Sequence, residues 1–150
     1  MQRRCEIEID GFRVELLEFN DTVETVEKAS TLSNEPPSSI VKTILAKTRE
    51  GYIVFLVRGD RRIDFKKASR TLNTSIALAN PSEVKEVLGV EIGAVTPLDS
   101  KVKRLRVIMD PAILEKDEIL CGGGSLNRLY KINTRDLVKF LSPEIMDLFK

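Results

Sequence analysis

Two near-continuous apolar runs, residues 40–47 and 52–57, stand out in the hydrophobic pattern, separated by Arg49-Glu50-Gly51. Both are rich in β-branched residues, which suit the pleated surface of an interior strand, and the glycine-bearing turn between them predicts a hairpin. Alternation along the first run puts Val41, Thr43 and Leu45 on one face and Ile40, Lys42, Ile44 and Ala46 on the other. A lysine therefore falls in the middle of an apolar face. A buried ammonium requires a partner, a ligand or a lowered pKa. Two readings stand at this point. Either the stem packs on the sheet and the head reaches water at an edge, or the lysine binds an anion or carbonyl at the floor of a pocket.

The pattern elsewhere is of short elements. Residues 5–9 and 13–19 read as strands joined by Asp10-Gly11, a favourable hairpin turn. Asp21-Thr22 offers a helix N-cap, followed by an apolar stripe of Val23, Val26, Ala29 and Leu32. Pro36-Pro37 ends that helix and feeds the Lys42 strand. Asp64 caps a helix over 65–72, and residues 76–79 predict a short strand. Asn80-Pro81-Ser82-Glu83 has a capping-box arrangement with proline at the first helical position, and Gly89 stops that helix. Residues 93–97 form a loop before strands over 105–110, 118–121 and 128–132, with Gly122-Gly123-Gly124-Ser125 as the turn between the last two. Thr134 caps a helix through Leu141, and Ser142-Pro143 predicts a final one. The sum is one α+β domain over 1–150, a mixed, mostly antiparallel sheet curled into a barrel-like shape with short helices around it.

Composition narrows the chemistry. With 42% hydrophobic and 31% charged residues in 150, the chain reads as a globular protein with a real core. No apolar run reaches the length of a membrane span, and Met-Gln-Arg-Arg leads into no signal-peptide core, so a cytoplasmic protein without membrane contact is expected. Cys5 and Cys121 are far apart, which predicts free thiols rather than a zinc or redox motif. There is no histidine. Ser-His-Asp and Cys-His catalysis and the usual histidine metal sites are thereby excluded, and neither a metal nor a cofactor is expected. A net charge of +1 argues against coating long nucleic acid such as DNA, while leaving room for a few phosphate contacts. The densest basic cluster is Arg58, Arg61, Arg62, Lys66, Lys67 and Arg70, either a solvated helix face or a phosphate-contacting one.

Single motifs decide little. Ser39-Ile40-Val41-Lys42 matches S-x-x-K, but its β-branched residues predict a strand where serine acyl enzymes need a helix start. The glycine triplet lacks the Lys-[Ser/Thr] ending of a phosphate loop. Gly93 to Pro97 alone says that backbone amides can face a ligand.

The order of the pieces says more. Ile40-Val41-Lys42-Thr43, then Gly59-Asp60-Arg61-Arg62-Ile63-Asp64 before a Lys-Lys helix, then Asn80-Pro81-Ser82-Glu83-Val84 resembles the YbaK/ProX family. So do Gly89 with Gly93-Ala94-Val95-Thr96-Pro97, and Gly122-Gly123-Gly124-Ser125 leading to Asp136-Leu137. These proteins are related to the editing domain inserted in bacterial prolyl-tRNA synthetases, and the likeness covers roughly 22–141. It implies a deacylase that hydrolyses mischarged tRNA in trans, on tRNA-Pro carrying alanine, serine, cysteine or threonine, with prolyl-tRNA synthetase as a further partner. The family's strand lysine and G-x-x-x-P loop map onto Lys42 and onto Gly93 with Pro97, which makes Lys42 and Gly93 the candidate catalytic positions. Thr43, Ala94, Val95, Thr96, Pro97, Gly122 and Gly123 become the candidate substrate contacts, and Arg61, Arg62 and Lys66 the candidate tRNA contacts. Ala94 stands where the family often has a second glycine, and the three-glycine turn resembles the ProX branch.

The chemistry asked of such a site is modest, because an aminoacyl ester is already activated. Loop amides would stabilise the oxyanion, Lys42 would hold a phosphate or the ester carbonyl, and a ribose hydroxyl would position the water. On this reading Gly93→Ala places a methyl where substrate approaches and forces an unfavourable φ. Two rivals remain: a non-catalytic module that binds a tRNA end or a synthetase, and a hydrolase using Cys121 without a histidine partner.

Overall fold

The computed structural model describes residues 3–150. In chain order the elements are β1 (Arg3–Ile9), β2 (Phe12–Glu18), α1 (Val26–Ser33), β3 (Val41–Thr48), β4 (Gly51–Arg58), α2 (Phe65–Leu72) and β5 (Ala77–Leu78). Then follow α3 (Pro81–Leu88), α4 (Ser100–Lys103), β6 (Arg106–Met109), β7 (Glu118–Gly122), β8 (Arg128–Asn133), α5 (Thr134–Leu141) and β9 (Glu144–Ile145). Single 3₁₀ turns sit at Pro37–Ser39, Ile92–Ala94 and Pro111–Glu115.

The fold is α+β, but the strands make two sheets rather than one curled sheet closing on itself. One has the order β1-β2-β8-β7 and the other β5-β3-β4-β6-β9. Most pairs are antiparallel; β6 runs parallel to both β4 and β9. Side-chain alternation in β3 explains the layering. Val41 and Leu45 enter the core between the sheets with Val54, Leu56, Met109, Ile119, Cys121 and Ile132. Ile44 and Ala46, on Lys42's face, enter a second core with Phe55, Ala68 of α2, Ile108, Leu148 and Phe149. A third cluster, of Leu17, Phe19, Val23, Ala29, Ile40, Leu120 and Leu129, closes the end of the sandwich beside α1.

The β1–β2 and β3–β4 hairpins form in full seven- and eight-pair registers. Asp10 and Gly11 both take positive φ, 52° and 83°, as a primed turn demands. The capping box at Asn80 and Glu83 is present, and Gly89 ends α3 with φ 73°. Three local expectations differ. Helix α1 is capped by Thr25, whose hydroxyl accepts from the Lys28 amide at 3.1 Å, so it starts later than Asp21-Thr22 implied. Helix α5 is capped by Asn133; Thr134 is buried and donates to the Lys116 carbonyl at 2.6 Å. Ser142-Pro143 starts no helix. Ser142 is left-handed (φ 47°), its amide closes α5 on Val138, and beyond Pro143 the chain forms β9.

One strand edge is left open. Strand β5 pairs with β3 only at Ala46 and Lys47, and β7 touches the start of β3 through a bridge between Ile40 and Leu120. Between those points no strand among the described residues pairs with the outer edge of β3.

Candidate functional site

A cavity of about 330 Å³ lies along this open edge. Its walls come from four places: Val23 to Val26 and Ala29 of α1 and its approach, Ile40 and the first residues of β3 through Ile44, Ile92, Gly93 and Val95 of the loop, and Cys121, Gly122 and Leu129 of β7 and β8. The third apolar cluster meets the inter-sheet core here, so most of the lining is aliphatic.

Lys42 and Gly93, fifty-one positions apart in sequence, both face this cavity. The Lys42 side chain is half-buried, and its Nζ donates to the Arg61 carbonyl at 2.8 Å. An ammonium has three donors, so two stay free for a ligand. Burial pulls the Lys42 pKa below the ordinary lysine value, and the negative charge of Asp60 partly opposes that. Arg61 is itself fixed. Its guanidinium reaches the fully buried Asp110 carboxylate at 2.6 Å, Asp147 at 3.1 Å and the Phe149 carbonyl at 3.0 Å. Asp110 also accepts from the amides of Arg58 and Ala112. A buried carboxylate therefore holds an arginine, and that arginine's carbonyl holds the lysine.

Gly93 is positioned by steric room rather than by bonds. A Cβ there would lie 2.8 Å from Glu24 Cβ and 3.1 Å from Leu126 Cδ2. Its φ is not positive, so the expected backbone strain does not apply; the added methyl would press on Glu24 of the cavity wall and on Leu126. The Ala94 amide donates to the Glu91 carbonyl at 2.9 Å, which removes it from the possible oxyanion donors. Val95 lines the cavity, whereas Ala94, Thr96 and Pro97 are buried behind it. The Thr96 hydroxyl accepts from the Leu98 amide at 3.2 Å and shapes the loop from within.

Gly122 and Gly123 part company. A side chain on Gly122 would overlap the Val95 carbonyl oxygen, so only glycine lets the end of β7 close on the loop. Gly123 does not line the cavity; its amide donates to the Arg128 carbonyl at 3.0 Å in the β7–β8 turn. Thr43 does line it, and its buried hydroxyl oxygen has no hydrogen-bond partner among the described residues. Cys121 is wholly buried in the wall, and burial pushes its thiol far above the usual range. Such a thiol is a poor nucleophile. Arg61 serves Asp110, and Arg62 and Lys66 are exposed outside this cavity.

Sequence reasoning missed Glu24, the one carboxylate on the cavity wall among the described residues. Its Oε1 takes Lys28 at 3.2 Å and the Thr22 hydroxyl at 3.4 Å. Its Oε2, turned toward Gly93, has no donor among the described residues. No local signal marks it, because a glutamate beside a helix start is ordinary.

A pocket with an anchored lysine at one wall, a carboxylate near another and aliphatic sides between them has the chemistry to take a small polar group carrying an apolar part. The chain belongs to the aminoacyl-tRNA editing domain family, whose model matches residues 20–140. It is 38% identical over 84 residues to the proline–tRNA ligase of Thermotoga sp. (strain RQ2), covering 55% of this chain and 15% of that ligase. To the proline–tRNA ligase of Thermosipho africanus it is 30% identical over 125 residues, 77% of this chain and 22% of the ligase. The matched segment is thus about a fifth of the length of these relatives. Among solved structures it is similar to a candidate trans-editing enzyme for prolyl-tRNA synthetase, with a TM-score of 0.82 and 26% identity over 91% of this chain and 87% of that one. The chain is therefore an aminoacyl-tRNA editing domain. Among the described residues no helix is long and apolar enough to cross a membrane.

Proposed function

We propose that the chain is a deacylase that removes a small amino acid from mischarged tRNA, with tRNA-Pro as the favoured carrier and prolyl-tRNA synthetase as a functional partner. The observation that carries this reading is the meeting of Lys42 and the Gly93 loop on one cavity of about 330 Å³. That volume lies at the low end for ligand pockets and suits an aminoacyl group with its ribose.

The polarity of the cavity orients the substrate. The Lys42 ammonium meets the terminal phosphate or the ester carbonyl, and Glu24 Oε2 takes the α-ammonium of the amino acid. Val26, Ala29, Ile40 and Leu129 then face its side chain. In the reaction a water oxygen adds to the ester carbonyl carbon, and loop amides other than that of Ala94 stabilise the oxyanion. The C–O bond to ribose then breaks, the ribose oxygen takes a proton, and the free amino acid leaves. No side chain need act as a base near neutral pH if a neighbouring ribose hydroxyl orients the water, which suits a chain without histidine. The buried, pKa-raised Cys121 gives no support to thiolate catalysis.

The test is a deacylation panel with tRNA-Pro charged in turn with alanine, serine, cysteine, threonine and proline. Release of at least one small amino acid, with proline spared, is the expected result. Binding of these tRNAs with no release from any of them would favour the non-catalytic module instead.

A further inference from the structure

A second cavity, of about 410 Å³, lies across Lys42 from the first. It is lined by Lys42, Ile44, Arg62, Ile63, Phe65, Leu78 and Lys150, so it shares Lys42 and Ile44 with the ester pocket. Its floor offers apolar surface to water: Phe65 is 39% exposed and Leu78 55%. Three cations line it, Lys42, Arg62 and Lys150. Among the described residues Arg62 and Lys150 enter no ion pair, nor do Lys66, Lys67 and Arg70 on helix α2, outside the cavity lining, whereas Arg58 and Arg61 close by are paired with carboxylates. The other sheet shows the contrast, since Arg3, Arg4, Arg13 and Arg128 each face a glutamate within 3.6 Å.

An exposed aromatic ring beside cations free of carboxylate partners is a way proteins hold single-stranded nucleic acid, bases stacking on the ring while the backbone follows the charge. Continuity adds direction. Successive nucleotides share one phosphate, and these successive cavities share one ammonium. We propose that the second cavity holds the penultimate nucleotide of a single-stranded tRNA acceptor end, its base on Phe65, Ile44 and Leu78 and its linking phosphate between Lys42 and Arg62. This rests on the editing reading of the first cavity and extends it by one nucleotide. The editing domain then measures the strand end as well as the amino acid, and Lys42 marks the boundary between the two.

The experiment compares two substrates for each variant: a mischarged tRNA, and the same amino acid esterified to adenosine 5′-monophosphate, which lacks the penultimate nucleotide. Phe65→Ala should lower the ratio of kcat/KM for tRNA over the short ester about tenfold, the scale of one lost base stack. Phe65→Trp should keep the ratio. An unchanged ratio in Phe65→Ala, or a ratio that falls equally in Phe65→Trp, overturns the proposal. A second measurement does not depend on hydrolysis: uncharged tRNA carrying 5-iodocytidine at the penultimate position is photo-cross-linked to the wild-type chain. Attachment within 62–66 supports the subsite, and attachment elsewhere or none refutes it. A chain that cross-links there yet hydrolyses neither ester would sink the deacylase reading while leaving the nucleotide subsite in place.

Discussion

Lys42 and Gly93 face one cavity, but different physics holds each of them. Lys42 hangs from a network: its Nζ is fixed by the Arg61 carbonyl, and Arg61 is fixed by a carboxylate buried to 0% exposure. Gly93 is held by packing alone, with Glu24 and Leu126 filling the space a side chain would need. The first wall is specified by directional bonds spanning distant segments, the second by the absence of atoms. Loss of a partner should therefore damage the lysine wall through an unpaired charge, while the glycine wall should be damaged by added volume.

The largest effect should come from Asp110→Ala. It strands Arg61 next to a buried hole, and breaking a buried pair typically costs about 3–5 kcal/mol. Asp147→Ala removes the partly exposed arm of the same clamp and should cost no more than about 1 kcal/mol. Urea titration of both variants decides the matter; equal losses would mean that burial does not set the hierarchy. Next comes Lys42→Ala. The deacylation rate should fall roughly 10²-fold or more, the scale for losing one preorganised electrostatic group. The unfolding midpoint should hold, because one half-buried hydrogen bond is worth only about 1 kcal/mol. Full activity in that variant would show that the site is misassigned.

On the glycine wall, Gly122→Ala and Gly93→Ala form a graded pair. The first meets the Val95 backbone, which cannot yield cheaply, and should destabilise by about 1–3 kcal/mol as well as lower activity. The second meets Glu24 Cβ at 2.8 Å and Leu126 Cδ2 at 3.1 Å, a looser clash than the one with the Val95 carbonyl, so it should be milder in stability. Differential scanning calorimetry of the two would reverse this order if the loop, rather than β7, is the rigid partner.

The smallest effect is a pH dependence. Lys42 has a pKa below the ordinary lysine value of 10.5. Between the two pKa values the unfolded chain binds a proton that the folded chain does not, so stability relative to Lys42→Met should rise with pH across that window. Deacylation that uses the ammonium should fall across the same alkaline window, earlier than for an exposed lysine. A stability difference that stays flat with pH would show that Lys42 is not desolvated.

What the sequence made legible was what short-range rules control. The Asp10-Gly11 turn, the Asn80–Glu83 capping box and the odd lysine in the 40–47 run are each visible within a few residues, and the structure contains all three. Family likeness supplied the pairing of Lys42 with Gly93, which no local rule joins. The misses are nonlocal or degenerate. Thr22 and Thr25 are both cap residues by type, but the Val23 amide goes to the distant Leu126 carbonyl at 2.8 Å and the cap is Thr25. Ser142-Pro143 reads as a helix start, yet the parallel partner waiting at Met109 makes the following residues a strand. Arg61 looked like a phosphate ligand because its carboxylate lies forty-nine residues away.

The unpaired stretch of β3 has a consequence beyond binding. An exposed strand edge is a template for another chain's backbone, and proteins protect such edges with charge or by covering them. Here the vulnerable stretch is the site itself, shielded by the α1 approach and the 92–95 loop, with Lys42 and Lys47 bracketing it. Whatever loosens those two shields to admit a larger substrate also uncovers an aggregation-prone edge. Self-association, rather than lost chemistry, is therefore the expected limit on how far this pocket can be widened.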